Sequence, residues 1–296
     1  MGEDVYRAHP LARRLFDQAS ELLGVDLKRL CFEGPKAELD DTINTQPALY
    51  VTSVALWSVA YHEGLLPRPA FLAGHSLGEY SALTVAGALP FEAGVRLVRE
   101  RGRLMKEAGE QNPGKMAAII GLEDATVAAL CEKASREGEP VQVANYNCPG
   151  QVVISGAEAA VRRAVELATA QGARRTVVLD VSIPAHSALM APIKETFAQV
   201  IEEAPLQAPT VPVLGNLTAR PLETEEDIRR ELVEQLTGSV RWTESVRYML
   251  DQGVRSFVEF GPGTVLTGLI KRIDRKTRRI NVANWSDIQS LSGRNS

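Results

Sequence analysis

One stretch, Ala70 to Val85, constrains the chain more than any other. It reads Ala-Phe-Leu-Ala-Gly-His-Ser-Leu-Gly-Glu-Tyr-Ser-Ala-Leu-Thr-Val. Its first four residues are mostly apolar and suit a short buried strand, and from Leu77 onward the apolar spacing is helical. Between them stands Gly74-His75-Ser76-Leu77-Gly78, a G-x-S-x-G pattern. A serine at so sharp a strand-to-helix turn occupies strained backbone, and small flanking glycines relieve the crowding. Its hydroxyl is presented at the carboxyl end of a sheet, above a helix N-terminus whose free N–H groups and dipole favour a developing oxyanion. The bare pattern also arises in glycine-rich turns, so the strand before it and the helix after it carry the argument. Ser76 is the candidate nucleophile.

The flanking chain predicts an α/β protein. His9-Pro10 opens a helical stripe that Gly24 would cap, 33–44 reads as a polar connector, and Gln46-Pro47 opens a deeply buried helix ending near His62. After the Ser76 helix, 91–108 is helical and 109–114 is a linker. From 116 to 181 the elements run β, α, β, β, α, β, the split-βαβ or ferredoxin-like order. Helix and short-strand patterns then resume: helix 190–204, strand 211–214, helices 225–236 and 243–252, strand 256–260, and a last helix 265–275. Residues from Ser286 onward read as polar and loose. The predicted organisation is a hydrolase-like parallel-sheet large domain, 1–110 plus 183–296, with 111–182 inserted as a ferredoxin-like subdomain.

A serine hydroxyl needs a base at neutral pH, and the sequence has four histidines. His9 in the opening helix and His62 at a helix end read as structural. His75, next to Ser76 on a sharp turn, should point away from the hydroxyl and fix the turn. His186 remains, in the proline-bounded loop Ser182-Ile183-Pro184-Ala185-His186-Ser187. A loop histidine is often idle, so the residues alone leave it an open candidate. Arg96, Arg99, Arg101 and Arg103 share one helix, usually a solvated face.

The longer string Gly-His-Ser-Leu-Gly-Glu-Tyr-Ser-Ala-Leu resembles the nucleophile motif of the malonyl-CoA:acyl carrier protein transacylases. Thr45-Gln46-Pro47-Ala48-Leu49, Asn145-Tyr146-Asn147-Cys148-Pro149-Gly150-Gln151 and Glu259-Phe260-Gly261-Pro262-Gly263 also look like recurring segments of that family. Most of these read as structural, with Asn145 and the glycine turn after it set near the cleft. The resemblance implies a Ser76–His186 dyad in which main-chain carbonyls orient the histidine, one of them contributed at Gln235. Glu100-Arg101-Gly102 matches the family's arginine-glycine pair, which implies that Arg101 binds the malonyl carboxylate; a planar guanidinium can do so bidentately. Leu77 N–H is implied as an oxyanion donor.

The implied activity is malonyl transfer from malonyl-CoA to the phosphopantetheine thiol of an acyl carrier protein, through a malonyl-serine intermediate, with no metal or redox cofactor. Family members begin with a strand and a Gly-Gln-Gly-Ser-Gln loop that supplies a second oxyanion donor. The present sequence opens inside what would be the next segment. A single such donor is worth about 3–4 kcal/mol. The expectation is a true start upstream, with an impaired carrier-binding protein as one alternative and an α/β-hydrolase or thioesterase as another. A hydrolase would place its histidine near the C-terminus.

Net charge −4 and pI near 5.7 argue against general nucleic-acid binding. Three cysteines without metal-ligand spacing fit a reducing cytoplasm. No apolar run reaches the ~18 residues of a membrane span, and a monomer is the default expectation. Lys271 to Arg279 holds six basic residues in nine. It reads as a solvated helix end that could also steer an acidic carrier. Fatty acid and polyketide carriers, and malonyl and methylmalonyl groups, are not separated by the residues.

Overall fold

The helix Thr42–His62 runs through the middle of the larger core and is buried on nearly every side, Tyr50, Val51, Ala55, Leu56 and Val59 having no exposed surface. It starts at Thr42 rather than at Gln46, because the Asp41 carboxylate accepts from Ile43 N–H and caps the first turn. Pro47 therefore lies inside the helix and cannot donate to the Ile43 carbonyl. Arg99 Nη1 fills that vacancy, donating to Ile43 O at 2.9 Å. The polar connector expected over 33–44 is partly helical, with a short helix Lys36–Asp40. The computed structural model describes residues 1–181 and 183–292; Ser182, the first residue of the His186 motif, lies outside them.

Nine strands occur among the described residues: β1 Leu72–Ala73, β2 Gly114–Ile120, β3 Val141–Cys148, β4 Gln151–Ala157, β5 Arg175–Val178, β6 Val213–Leu214, β7 Pro221–Leu222, β8 Ser256–Phe260 and β9 Arg278–Val282. β2 to β5, with helices Asp124–Ala134 and Glu158–Ala170, form an antiparallel sheet of order β3-β4-β2-β5, the ferredoxin-like arrangement. These helices and the sheet enclose their own apolar core of Ile119, Val127, Val143, Ile154, Val161 and neighbours.

The parallel-sheet part expected for the larger domain is built as two small sheets among the described residues. β1 pairs in parallel with β6, which pairs antiparallel with β7, and β8 pairs in parallel with β9. β1 offers only two ladder residues before the chain turns at Gly74, which limits the sheet it can nucleate. An apolar cavity of about 380 Å³ separates the two sheets, lined by Phe71 to Gly74 on one side and Ser256 to Phe260 on the other.

β9 was not expected. Its first two residues, Arg278 and Arg279, fall in the basic run read as a helix end, yet the last long helix stops at Ile273 and Arg278 to Val282 join β8. Nor are residues 286–292 loose: Asn284 caps a helix Trp285–Gln289 that packs against the helices Glu3–Ala8 and Thr42–His62; the rest of that polar end, 293–296, lies outside the described residues. No described helix is long and apolar enough to cross a membrane.

Candidate active site

β1 ends at Ala73 and the helix Gly78–Val85 begins five residues later, so the chain reverses within Gly74 to Leu77. Ser76 takes φ 52°, a left-handed value that costs a non-glycine residue about 1–3 kcal/mol. Gly74 permits the turn. A Cβ there would lie 1.9 Å from the Gly78 carbonyl carbon, so no other residue fits. Gly78 is different, since a Cβ on it would meet nothing within 4 Å; crowding explains only the first glycine of the pattern.

His186 arrives from the far side of the ferredoxin-like subdomain, 110 residues along, and its Nε2 sits 2.8 Å from Ser76 Oγ. It too has a left-handed backbone, φ 58°. Its Nδ1 faces two main-chain carbonyls, Gln235 O at 2.8 Å and Gly238 O at 3.2 Å. Both are acceptors, so Nδ1 carries the proton and Nε2 presents its lone pair to the serine hydroxyl. Burial, reinforced by the Arg101 charge, pushes the imidazole down to about 3, and it is neutral at physiological pH.

Arg101 is the third member. It is 2% exposed and makes no salt bridge among the described residues. Nη1 donates to Gln46 Oε1 at 2.8 Å, and Nη2 donates both to Gln235 Oε1 at 2.9 Å and to Ser76 Oγ at 3.1 Å. The guanidinium stands over the Tyr80 ring, and Nε is buried with no hydrogen-bond partner among the described residues. Two neutral amides thus orient a buried cation that no carboxylate contacts by hydrogen bond. Arg103 does what a surface reading would assign and pairs with Glu100 and Glu107, whereas Arg99 serves the Ile43 carbonyl. Arg101 faces inward because Gly102 allows a close approach; a Cβ there would lie 2.7 Å from Thr42 O.

Gln235 is fully buried rather than an exposed helix residue, and it serves the site three ways: its carbonyl holds His186, its Oε1 holds Arg101, and its Nε2 donates to Ser76 O at 3.3 Å. Leu77 is half-buried, and its N–H has no hydrogen-bond partner among the described residues. His75 points away from the hydroxyl as expected, its Nε2 meeting Asn147 Oδ1 at 2.9 Å. Asn147, not Asn145, makes the contact with the turn; Asn145 forms a bridge with Val240 at the edge of β3.

Sequence reasoning missed several groups. Gln46 lies in a quoted segment but had no assigned task. Gln142 on β3 donates to His186 O and Thr237 O, tying the subdomain to the base. Asn216, just past β6, accepts from Ser76 N–H at 2.7 Å. Behind the turn Glu79 and Glu231 are both buried. Burial and mutual repulsion hold Glu79 well above the usual carboxylate range, and burial pushes Glu231 up to about 7. No local pattern marks these residues, because each acts across a large sequence separation.

His9, His62 and Glu63 form one cluster of potential metal ligands. His9 Nδ1, however, accepts from Leu11 N–H and caps the helix Pro10–Leu23. Its Nε2 is therefore the protonated nitrogen, a donor toward Glu63 and not a lone pair for a metal.

With the geometry in place, comparison with known proteins fixes the kinship. A family model described as "Acyl transferase domain" matches residues 1–287. The malonyl CoA-acyl carrier protein transacylase of Bacillus subtilis (strain 168) is 44% identical over 289 residues, 98% of this chain and 90% of that one. The protein of the same name from Escherichia coli (strain K12) is 48% identical over 270 residues, 91% of this chain and 87% of that one. A solved structure of a type II PKS acyl-carrier protein in complex with its malonyl-transacylase superposes with a TM-score of 0.96 at 42% identity, covering 100% of this chain and 95% of that one. An α/β scaffold that sets a turn serine, a carbonyl-held histidine and a buried arginine within hydrogen-bond reach is thus accompanied by likeness along nearly its whole length, and the chain belongs to the malonyl CoA-acyl carrier protein transacylases of the acyl transferase family.

Proposed function

We propose that the protein transfers the malonyl group from malonyl-CoA to the phosphopantetheine thiol of an acyl carrier protein, with Ser76 as the nucleophile and His186 as the base. The observation that carries this reading is the position of Arg101: a buried guanidinium 3.1 Å from Ser76 Oγ that makes no salt bridge among the described residues. A desolvated cation with no acidic partner favours an acyl group that ends in a carboxylate.

Malonyl-CoA binds with its free carboxylate on the Arg101 guanidinium and its thioester carbonyl over Ser76. His186 Nε2 takes the hydroxyl proton as Ser76 Oγ forms its bond to the carbonyl carbon. The resulting oxyanion accepts from Leu77 N–H at the start of the helix Gly78–Val85. Collapse of the tetrahedral intermediate breaks the carbon–sulfur bond, and the imidazolium returns its proton to the departing coenzyme A thiol. In the second half the carrier thiol gives its proton to His186 and attacks the Ser76 ester, and Ser76 leaves with that proton. The carbonyls of Gln235 and Gly238 stabilise the imidazolium and keep the ring in one tautomer. Binding of an anion to Arg101 offsets the charge that depresses His186, so substrate itself strengthens the base. Every proton in this scheme passes between protein and substrate groups, and the scheme calls for no cofactor.

Further parts of the reading rest on the same footing. Residues 1–110 and 183–296 act as the acyltransferase core, and 111–182 as a subdomain closing one wall of the site. The acidic carrier docks beside the exposed Lys271, Arg275, Lys276 and Arg278, and the protein works in the cytoplasm as a monomer.

Intact-protein mass spectrometry after mixing with malonyl-CoA tests the reading. A malonyl adduct on the parent, absent from Ser76→Ala and discharged by phosphopantetheinylated carrier protein, is the expected result. Hydrolysis to free malonate without transfer would make the protein a thioesterase. Carrier binding without any adduct would make it a binding protein.

A further inference from the structure

Asn216 follows the two-residue strand β6, where the pairing of β1 with β6 stops at Ala73 and Leu214. Beyond that point its side chain takes over the role of the next ladder residue. Oδ1 accepts from Ser76 N–H at 2.7 Å and Nδ2 donates to Gly74 O at 2.8 Å, so one amide spans both ends of the turn. Its own main chain is held as well: its N–H donates to Glu79 Oε2 at 3.0 Å and its carbonyl accepts from Arg241 N–H at 2.8 Å. The residue is 3% exposed. The amide can be oriented in only one way, because Ser76 offers a donor and Gly74 an acceptor, both from the main chain.

We propose that Asn216 is the positioning residue of the nucleophile, clamping the left-handed turn so that Ser76 Oγ stays between His186 and Arg101. This rests on the reading of Ser76 as the acylated residue. The Ser76 N–H is consumed by the clamp, whereas the adjacent Leu77 N–H is left for the oxyanion. A turn released from the clamp can relax toward ordinary backbone angles, which carries Oγ away from Nε2 without altering the groups that bind the acyl carboxylate.

The chemistry of the amide suggests a diagnostic substitution. In Asn216→Asp one oxygen still accepts from Ser76 N–H, but the other faces the Gly74 carbonyl with no proton to give. Burial and the neighbouring Glu79 and Glu231 raise the introduced carboxyl, and once protonated it can donate to Gly74 O as the amide does. At pH 8 the acylation rate of Asn216→Asp should fall on the order of tenfold with KM for malonyl-CoA within about twofold, the loss of one oriented bond appearing in the rate. Its ratio to the parent should climb at least about fivefold between pH 8 and 5.5, the range over which a buried carboxyl of raised affinity takes up its proton. Asn216→Ala shares the Glu79 and Glu231 titrations and lacks the new carboxyl, so its ratio should stay low and flat. A flat ratio for Asn216→Asp, or a parental acylation rate for Asn216→Ala, overturns the proposal.

Residue-resolved amide hydrogen exchange on the parent protein gives a second reading that needs neither a variant nor activity. Ser76 N–H should exchange at least about a hundredfold more slowly than Leu77 N–H, since only the former is bonded within the turn. Equal rates overturn the clamp even if the enzyme is active. Slow Ser76 exchange in a protein that never acquires a malonyl group would leave the clamp standing and overturn the functional reading instead.

Discussion

The Arg101 guanidinium lies 3.1 Å from the Ser76 hydroxyl, so the group suited to reading acyl charge and the group suited to attack share one hydrogen bond. Ser76 Oγ can accept from Arg101 while it donates to His186 Nε2 at 2.8 Å. The cation favours the alkoxide character that the base creates. Specificity and activation are therefore coupled at one oxygen atom.

Arg101→Ala should lower kcat/KM for malonyl-CoA by on the order of a hundredfold or more, the scale of a desolvated charged contact. Acetyl-CoA, which has no carboxylate to lose, should suffer far less, so the preference collapses. Arg101→Lys should not restore it, because an ammonium cannot reach Gln46 and Gln235 in the fork geometry and still serve the substrate. Steady-state kinetics with the two thioesters checks this, and an unchanged malonyl-to-acetyl ratio would refute the assignment.

The low affinity of His186 for protons has two consequences. The acid limb of kcat/KM should lie far below the ~6.5 of a free imidazole, and Arg101→Ala should move that limb upward by removing a charge that depresses the ring. For stability, a neutral buried histidine binds its proton less readily than the unfolded chain does. Its contribution is complete above about 6.5 and is lost as pH falls toward about 3. Melting of His186→Gln should consequently decline less than that of the parent between pH 7 and 5.

Glu231 works in the opposite direction. Its raised folded value means that the native state holds a proton that the unfolded chain releases near 4.5, so the contribution is complete below 4.5 and lost as pH rises through about 7. Glu231→Gln removes that titration beside Glu79. The melting temperature of the variant relative to the parent should become more favourable as pH is raised from 4.5 to 8. A difference that stays constant with pH would show that burial does not hold the Glu231 carboxyl above its ordinary range.

Gly102→Ala should be costly although alanine is the better helix former. The added methyl would lie 2.7 Å from Thr42 O and 3.0 Å from Ile43 Cα, both backbone atoms of the buried helix. Overpacking against fixed backbone costs about 1–3 kcal/mol. Because Arg101 is the neighbouring residue, malonyl preference should weaken along with thermal stability. Calorimetry and the thioester ratio, measured together, check both parts.

Much of the site can be read in the sequence where chemistry is local. The strand–Gly-His-Ser-Leu-Gly–helix run requires a sharp turn with an exposed serine, and the alternation from Met116 to Val178 specifies a ferredoxin-like sheet. Pairing Ser76 with His186 and Arg101 rested on family likeness, and the coordinates place the three within hydrogen-bond reach. The run Lys271 to Arg279 misled, because charge pattern outweighed the modest β signal of Ile280 and Val282, whose strand exists only through pairing with β8. Likewise Pro47 can lie inside the helix that starts at Thr42 because Arg99, 56 residues from Ile43, satisfies the carbonyl that Pro47 cannot.

By itself, then, the sequence determined the elements whose cause lies within one turn or one strand: the nucleophile turn, the subdomain order and the buried central helix. Only the tertiary structure decided what each polar group meets. Gln46, Gln142, Asn216 and the carbonyl of Gly238 come from distant segments, and each is drawn to the site because a buried donor or acceptor must find a partner. That requirement is met through space, and no local pattern in the chain records it.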